Sequence, residues 1–241
     1  MIDIHTHILP GVDDGAADYD VSIVMAQAAQ ECGVTDMIAT PHSNQRSRYE
    51  NYVSEDLENR MVILRSALKK AEIHVNIHEG MEIFGTPDLP RLLRAGKVRT
   101  LAGSRYLLVE FAFREDPFFM ENLLQQLRAE GVEPIVAHPE RYIALQDMPE
   151  LLFDWRERGI WLQANKGSFF GAFGHGARRT AQLMLSNDLI TIIASDAHGA
   201  ERRTPDLSRI QEMITMEFSH RRASRLLENN PRRILCDEPL V

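Results

Sequence analysis

Short apolar runs alternate with longer amphipathic stretches from one end of the chain to the other. The short runs have the length of buried β-strands. The longer stretches carry apolar residues at helical spacing, as Leu57, Met61 and Leu64 do. The predicted strands are Ile2–His7, Asp36–Thr40, His74–Glu79, Tyr106–Phe111, Pro134–His138, Gly159–Asn165 and Leu189–Ser195.

A helix is predicted after each of these strands. Gly33, a residue type that commonly terminates helices, follows the end of the first one. The predicted helices are Asp20–Glu31, Ser54–Ala71, Asp88–Ala95, Pro117–Glu130, Met148–Arg158, Ala177–Asn187 and Pro205–Glu217.

Seven β-α units in a row predict an α/β fold with parallel strands and right-handed crossovers. No linker or low-complexity segment divides them, so a single domain over residues 1–241 is expected. A closed, distorted barrel and an open doubly wound sheet both fit this order of elements. The phosphate-binding fingerprints GxGxxG and GxxxxGK[ST], typical of open sheets, do not occur.

The first predicted strand ends in His5-Thr6-His7, and residues two apart on a strand point to the same side. The two imidazoles can therefore bind one metal ion, or they can be ordinary hydrogen-bonded histidines. The loop that follows contains Asp13 and Asp14 between glycines. By itself this loop indicates a solvent-exposed turn. Beside two histidines, one of its carboxylates becomes a candidate metal ligand or general acid.

Six of the seven predicted strands end in charged or imidazole side chains. Such groups are costly to bury without a partner, and cations shared between them would remove that cost. Separately, Asp196 could cap a helix and His138 could be a core histidine, but together the residues indicate a metal site. Their position at the strand ends also favours the barrel. The later strand ends contribute His42, Glu79, Glu82, Glu110, His138, Asp196 and His198.

Carboxylates and imidazoles without a thiolate suit Mn²⁺, Fe²⁺ or Zn²⁺. The set contains more ligands than one ion can use, which predicts two or three ions and favours phosphoryl chemistry. A cysteine phosphatase loop, CxxxxxR, is excluded because Ile38 stands six positions after Cys32 and Cys236 lies too near the end.

The net charge of −8, from 27 basic and 35 acidic residues, argues against a sequence-independent nucleic-acid-binding protein. No apolar run is long enough to span or enter a membrane, and the N-terminus lacks the apolar segment of a signal peptide. The cytoplasm is therefore the expected location. The C-terminal part is basic, which indicates a solvated helix face or, as an alternative, a docking surface for an acidic partner. Its arginines are Arg221, Arg222, Arg225, Arg232 and Arg233.

The order of these motifs resembles the polymerase and histidinol phosphatase (PHP) family, whose fold is a distorted, TIM-like barrel of seven β-α units. The likeness extends from His5 to Arg203. Within that family the chain looks most like bacterial manganese-dependent protein-tyrosine phosphatases of capsule and exopolysaccharide systems. The segments that carry this likeness are Asp3–Gly15, Ala39-Thr40-Pro41-His42, His138-Pro139-Glu140-Arg141 and Ser195-Asp196-Ala197-His198.

The resemblance implies a site for three metal ions. Arg141 and Arg203 would bind phosphate, with Arg202 as the alternative to Arg203, and Asp14 would be both a ligand and a catalytic residue. Asp13 could replace Asp14, and Glu79 could replace Glu82. The implied ligand groups are His5, His7, Glu82 and Asp196 for the first ion, Glu82, Glu110 and His138 for the second, and Asp14, His42 and His198 for the third.

The function implied is hydrolysis of phosphotyrosine by metal-activated hydroxide, with Mn²⁺ as the expected ion and Fe²⁺ or Zn²⁺ as alternatives. The expected partner is the tail of a bacterial tyrosine kinase of polysaccharide export. Three alternatives are a small-molecule phosphatase such as one for histidinol phosphate, a PHP nuclease, and a non-catalytic metal-binding regulator. An oligomer is compatible with the sequence.

Overall fold

Short parallel strands form the centre of the computed structural model, which describes all 241 residues. Seven of the strands correspond to the predicted ones, with shifted ends. The strands are β1 Ile2–Thr6, β2 Asp36–Ala39, β3 His42–Ser43, β4 Asn76–Glu79, β5 Glu82–Phe84, β6 Tyr106–Glu110, β7 Glu133–Ala137, β8 Trp161–Asn165 and β9 Ile192–Ala194.

Helices surround the strands, and all seven predicted helices are present. None of them is both long and apolar enough to cross a bilayer. A π-helical turn, Arg225–Asn229, joins the last two. The helices are α1 Tyr19–Glu31, α2 Glu55–Lys70, α3 Leu89–Arg94, α4 Pro117–Ala129, α5 Ile143–Asp147, α6 Glu150–Glu157, α7 Lys166–Phe169, α8 Gly174–Ser186, α9 Ser208–Glu217, α10 His220–Ser224 and α11 Asn230–Leu235.

The strands form two parallel sheets, one in the order β1-β2-β4 and the other in the order β3-β5-β6-β7-β8-β9. The chain passes from the first sheet to the second twice, across Pro41 and across Gly80. Pro41 has no N–H to donate to a neighbouring strand, so it interrupts pairing. A Cβ on Gly80 would lie 2.7 Å from Cγ2 of Ile38, so only glycine fits there. Both breaks precede a candidate ligand, His42 or Glu82.

The two sheets are closed into a barrel by contacts between β1 and the end of β9. Thr6 pairs with Ala197 in a parallel bridge. The N–H of His7 donates to the carbonyl of Ala197 at 2.8 Å, and the N–H of Asp196 donates to that of His5 at 2.9 Å. The distorted barrel is therefore confirmed, and the open sheet was the wrong alternative.

Two apolar clusters hold this arrangement together. The larger, of 49 buried residues, lies between strands and helices. The smaller one has 12 buried residues from strands across the barrel and from the C-terminal segment. On β6, Leu108 belongs to the smaller cluster, and Glu110 points to the same side two residues later. The barrel is thus apolar at the beginning of its strands and polar where they end.

Candidate metal centre

His5 and His7 lie at the end of β1, and both are fully buried. Nδ1 of His5 is 2.9 Å from Oε1 of Gln163, and Nδ1 of His7 is 2.7 Å from Oδ2 of Asp13. These contacts orient both rings so that their Nε2 atoms lie 3.3 Å apart. Orientation of an imidazole through its other nitrogen is typical of metal-binding histidines.

Glu82, at the start of β5, lies in the middle of the histidines. Its Oε1 is 3.3 Å from Nε2 of His5 and 2.9 Å from Nε2 of His138. Its Oε2 is 3.3 Å from Nε2 of His7 and 2.8 Å from Nδ1 of His42. The side chain has no solvent exposure. A carboxylate with imidazoles on both oxygens has the geometry expected of a bridging ligand.

Glu79, the alternative to Glu82, lies elsewhere. Its carboxylate pairs with Arg65 at 3.4 Å and with Arg99, and 28% of its side chain is exposed. The structure therefore brings Glu82 and not Glu79 to the histidine cluster.

Asp13 and Asp14 have different surroundings. Asp13 accepts hydrogen bonds from the N–H groups of Gly15 and His42, each at 2.9 Å, in addition to its contact with His7. Oδ1 of Asp14 lies 3.4 Å from Nε2 of His42 and 3.5 Å from Nε2 of His198. The geometry favours Asp14 as the ligand and gives Asp13 the role of holding His7 and the backbone of His42.

Asp196 follows β9, beside the end of β1, and its N–H donates to the carbonyl of His5. Its Oδ1 is 3.5 Å from Nε2 of both His5 and His7, and 3.4 Å from Nδ1 of His198. Asp196 and His138 have positive φ angles of 50° and 35°. Strained conformations of this kind are concentrated at functional sites, and here they turn the chain directly after a strand.

Two arginines contact Oδ2, the second carboxylate oxygen of Asp196. Nη1 of Arg141 is 3.3 Å from Oδ2, and Nη2 of Arg203 is 2.5 Å from it. Arg202 is exposed and takes no part in this contact. The structure thus places Arg203 beside the site. Two guanidiniums next to a metal-ligand cluster form a surface suited to an oxyanion such as phosphate.

All nine predicted ligands converge, and His138 joins the others through its Nε2, which is 2.9 Å from Oε1 of Glu82 and 3.8 Å from Oε1 of Glu110. The distances among the other eight ligands place His7 and His42 in two groups each. Ligand atoms within 4.8 Å of one another form three groups: His7, Asp14, His42 and His198; His5, His7 and Asp196; and His42, Glu82 and Glu110.

The charges of the site fit divalent cations. Burial alone would raise the pKa of Glu82, but His5 and His42 outweigh it and hold that pKa well below its usual range. Hydrogen bonds with His198 and His42 lower the pKa of Asp14. Glu82 and Asp14 are thus ionised. The buried Nδ1 of His138 has no hydrogen-bond partner. Ionised oxygens and imidazoles are ligands that Mn²⁺, Fe²⁺ and Zn²⁺ accept.

We expect metal binding to release protons, and the affinity for Mn²⁺ to rise with pH. Burial opposes protonation of His7, but Asp13 outweighs it and raises the pKa well above its usual value. Glu82 has the same effect on the pKa of His5 and of His42. The raised pKa values favour the protonated form of these imidazoles without metal, and a metal must displace the protons. Calorimetric titration with Mn²⁺ in buffers of different ionisation enthalpy counts them. An affinity that is constant between about pH 5.5 and 8 would contradict this linkage.

Phe173 was not predicted as a site residue, yet it lies against both arginines. The ring centroid is 4.2 Å from Cζ of Arg141 and 5.5 Å from Cζ of Arg203. Phe113 covers Arg141 at 4.6 Å, so that guanidinium is held between two rings. Glycines flank Phe173 at 171 and 174, with φ angles of 82° and 90°. In the sequence, Phe173 is only an aromatic residue between glycines, a pattern that is also typical of ordinary turns.

Replacing Phe173 by leucine is expected to lower kcat/KM for an aryl phosphate roughly tenfold, because each cation–π contact contributes about 1 kcal/mol. Phe173→Tyr retains the ring and should restore activity to within about twofold. Phe170, whose ring lies 4.0 Å from Cζ of Arg209, offers a matched control in Phe170→Leu. Steady-state kinetics at fixed Mn²⁺ measure the effect. Equal losses in both leucine variants would point to a loss of packing and not of arginine positioning.

Comparisons with known proteins match this chain to one family model and to several bacterial tyrosine-protein phosphatases. The family model for capsular polysaccharide synthesis, CpsB/CapC, matches residues 1–236. Tyrosine-protein phosphatase YwqE of Bacillus subtilis is 34% identical over 232 residues, which cover 95% of this chain and 89% of the relative. Tyrosine-protein phosphatase CpsB of Streptococcus pneumoniae is 29% identical over 243 residues, which cover 99% of each chain.

A solved structure supports the same relationship. It is described as showing YwqE from Bacillus subtilis and CpsB from Streptococcus pneumoniae, metal-dependent tyrosine phosphatases. It matches with a TM-score of 0.93 and 32% sequence identity, covering 100% of this chain and 96% of the other. The subgroup expected from the sequence motifs is thereby confirmed. The chain belongs to the CpsB/CapC family of capsular polysaccharide synthesis.

Proposed function

We propose that residues 1–241 act as one metal-dependent phosphoesterase domain that hydrolyses phosphotyrosine in proteins. The observation that supports this most directly is the position of Arg141 and Arg203 beside a buried cluster of histidines and carboxylates. An anion-binding surface next to a cation-binding one is what a phosphomonoester requires. Relatives named tyrosine-protein phosphatases make tyrosine phosphate the first substrate to consider.

The metal ligands in this proposal are the nine converging side chains, and Mn²⁺ is the expected ion, with Fe²⁺ or Zn²⁺ as alternatives. Such cations, when bound, activate water as a nucleophile and neutralise charge on the phosphoryl oxygens. The proposed ligands are His5, His7, Asp14, His42, Glu82, Glu110, His138, Asp196 and His198.

The two arginines would bind the phosphate oxygens with their planar, paired donors, as lysine does less well. Asp196 holds both guanidiniums in place, and the rings of Phe113 and Phe173 restrict Arg141. These contacts would orient the guanidinium donors before the substrate binds. The entropic cost of ordering the arginines on binding would therefore be lower.

Besides metal and phosphate binding, the reaction requires a proton for the leaving group. Asp14 is the carboxylate most open to solvent, with 39% of its side chain exposed. Its lowered pKa keeps it ionised, so we assign it to metal binding first. A tyrosyl leaving group, with a pKa of about 10, needs less protonation than an alkoxide.

The physiological substrate that we propose is a tyrosine kinase tail in a polysaccharide export system. The family's association with capsular polysaccharide synthesis supports this setting but identifies no kinase. Location in the cytoplasm remains a prediction from the sequence.

A substrate panel tests the proposal. Protein loaded with Mn²⁺ is given a phosphotyrosine peptide, histidinol phosphate and a single-stranded oligonucleotide at equal concentrations, and kcat/KM is measured for each. We expect the peptide to be preferred by at least tenfold. Preference for either of the other two would replace phosphotyrosine with a small phosphate ester or with nucleic acid. No turnover of any of them at full metal occupancy would leave a metal-binding regulator as the function.

A further inference from the structure

A polar cavity of about 590 Å³ lies among the C-terminal helices. It is bounded by α10, the π-helical turn and α11, and by the segment between α8 and β9. Volumes of this size are typical of small-molecule sites. Its cationic lining consists of Arg221, Arg222, Arg225, Arg232 and Arg233.

This cavity is separate from the metal centre. Asp188, in its wall, precedes β9, whereas Asp196 follows the same strand. Because all strands of the barrel are parallel, the beginning and the end of β9 mark its opposite ends. The arginine cavity therefore lies near the end of the barrel that does not carry the metal ligands.

Part of the cavity wall is held in a fixed arrangement by one carboxylate. Oδ1 of Asp188 pairs with Nη2 of Arg222 at 3.0 Å, and its Oδ2 accepts from Nη1 of Arg225 at 3.1 Å. The ring of Phe218 lies 4.5 Å from Cζ of Arg222. Asp188 thus keeps two guanidiniums close together, although it can neutralise only one of them.

Of the other three arginines, two are paired with a carboxylate and one is not. Arg232 pairs with Glu228 at 3.3 Å, and Arg233 is 3.8 Å from Glu238. Arg221 is exposed and makes no ion pair. Five arginines therefore face three carboxylates, Asp188 and Glu238 in the lining and Glu228 beside Arg232, in a protein whose net charge is −8. A local cationic excess in an acidic protein concentrates anions at that place.

We propose that this cavity binds a compact polyanion that carries two or more phosphate groups. All its cations are arginines and none is a lysine, which suits planar, bidentate recognition of phosphate oxygens. Only two of the 11 lining residues are hydrophobic, so the wall offers little to a nucleobase or an acyl chain. The site is independent of the phosphotyrosine hydrolysis proposed above.

Cys236 provides a local readout, because its free thiol is exposed and lines the cavity. The metal-loaded protein is treated with iodoacetamide with and without inorganic tripolyphosphate, and alkylation of Cys236 and Cys32 is followed by peptide mass spectrometry. We expect saturating tripolyphosphate to slow alkylation of Cys236 at least fivefold and that of Cys32 by less than twofold. EDTA at the same concentration controls for metal removal.

Two variants make the test specific. Arg221→Ser with Arg232→Ser should abolish the protection of Cys236. Lys69→Ser with Lys70→Ser removes the same charge from the end of α2 and should retain the protection. Thermal unfolding of both variants checks that they fold. Unchanged Cys236 reactivity in the wild type, equal protection by EDTA, or full protection in the arginine variant would each overturn the proposal.

Discussion

Replacement of Glu82 by glutamine is expected to lower kcat/KM for a phosphotyrosine peptide by roughly 10³-fold or more, since charge stabilisation worth several kcal/mol depends on the bound cations. Glu82 is the one carboxylate that reaches His5, His7, His42 and His138. The amide retains its volume but removes the charge and one oxygen ligand. Metal content, measured by elemental analysis of the same sample, should fall by at least one ion per chain.

Glu79→Gln is the matched control for Glu82→Gln. Glu79 belongs to the same stretch of chain, but its ion pairs with Arg65 and Arg99 lie outside the site. We expect activity within about twofold of wild type and unchanged metal content, because exposed ion pairs contribute little. If Glu82→Gln kept both its activity and its metal, Glu82 would not be a ligand, and the central position assigned to it would be wrong.

The second large effect is expected from Arg141→Lys and Arg203→Lys, each of which should lower kcat/KM by roughly 10²-fold. Lysine keeps the positive charge but loses the planar, paired donors that match two phosphate oxygens. The metal content should not change, since neither side chain is a proposed ligand. Steady-state kinetics and elemental analysis of the same preparations separate phosphate binding from metal loss.

Arg202→Lys distinguishes specific recognition from a general effect of charge in this loop. Arg202 is exposed, whereas Arg203 contacts Asp196. Activity of Arg202→Lys should therefore stay within about twofold of wild type. A strong loss in Arg202→Lys together with a weak one in Arg203→Lys would reverse the assignment of these two neighbours.

The part of the fold that could be predicted from the sequence is the part with strong periodicity. Each of the seven apolar runs became a strand, and each long amphipathic stretch became a helix. The barrel could be predicted because charged groups follow so many buried strands, and only convergence gives them partners. The candidate ligands could be predicted from the same observation, since His5, His42 and Asp196 each lie at or shortly after the end of a predicted strand.

The remaining features depend on tertiary contacts. β3 has two residues and β5 has three, too few for any periodic pattern, and they exist because the chain continues past Pro41 and Gly80 into the second sheet. Asp13 and Asp14 are adjacent and chemically identical, so only their contacts in the folded chain distinguish their roles. Asp13 contacts His7 and the backbone of His42, whereas Asp14 faces the rings of His42 and His198. Phe173 is recognised as a site residue only when Arg141 and Arg203 are seen against its ring.

Nine side chains that are distant in the sequence are expected to hold several cations together. Anomalous diffraction at the manganese absorption edge, from crystals of Mn²⁺-loaded protein, tests it most directly. We predict two or three peaks among these ligands, each about 2.0–2.3 Å from imidazole nitrogens or carboxylate oxygens. No peak within the cluster, in crystals whose metal content is confirmed by fluorescence, would contradict the claim.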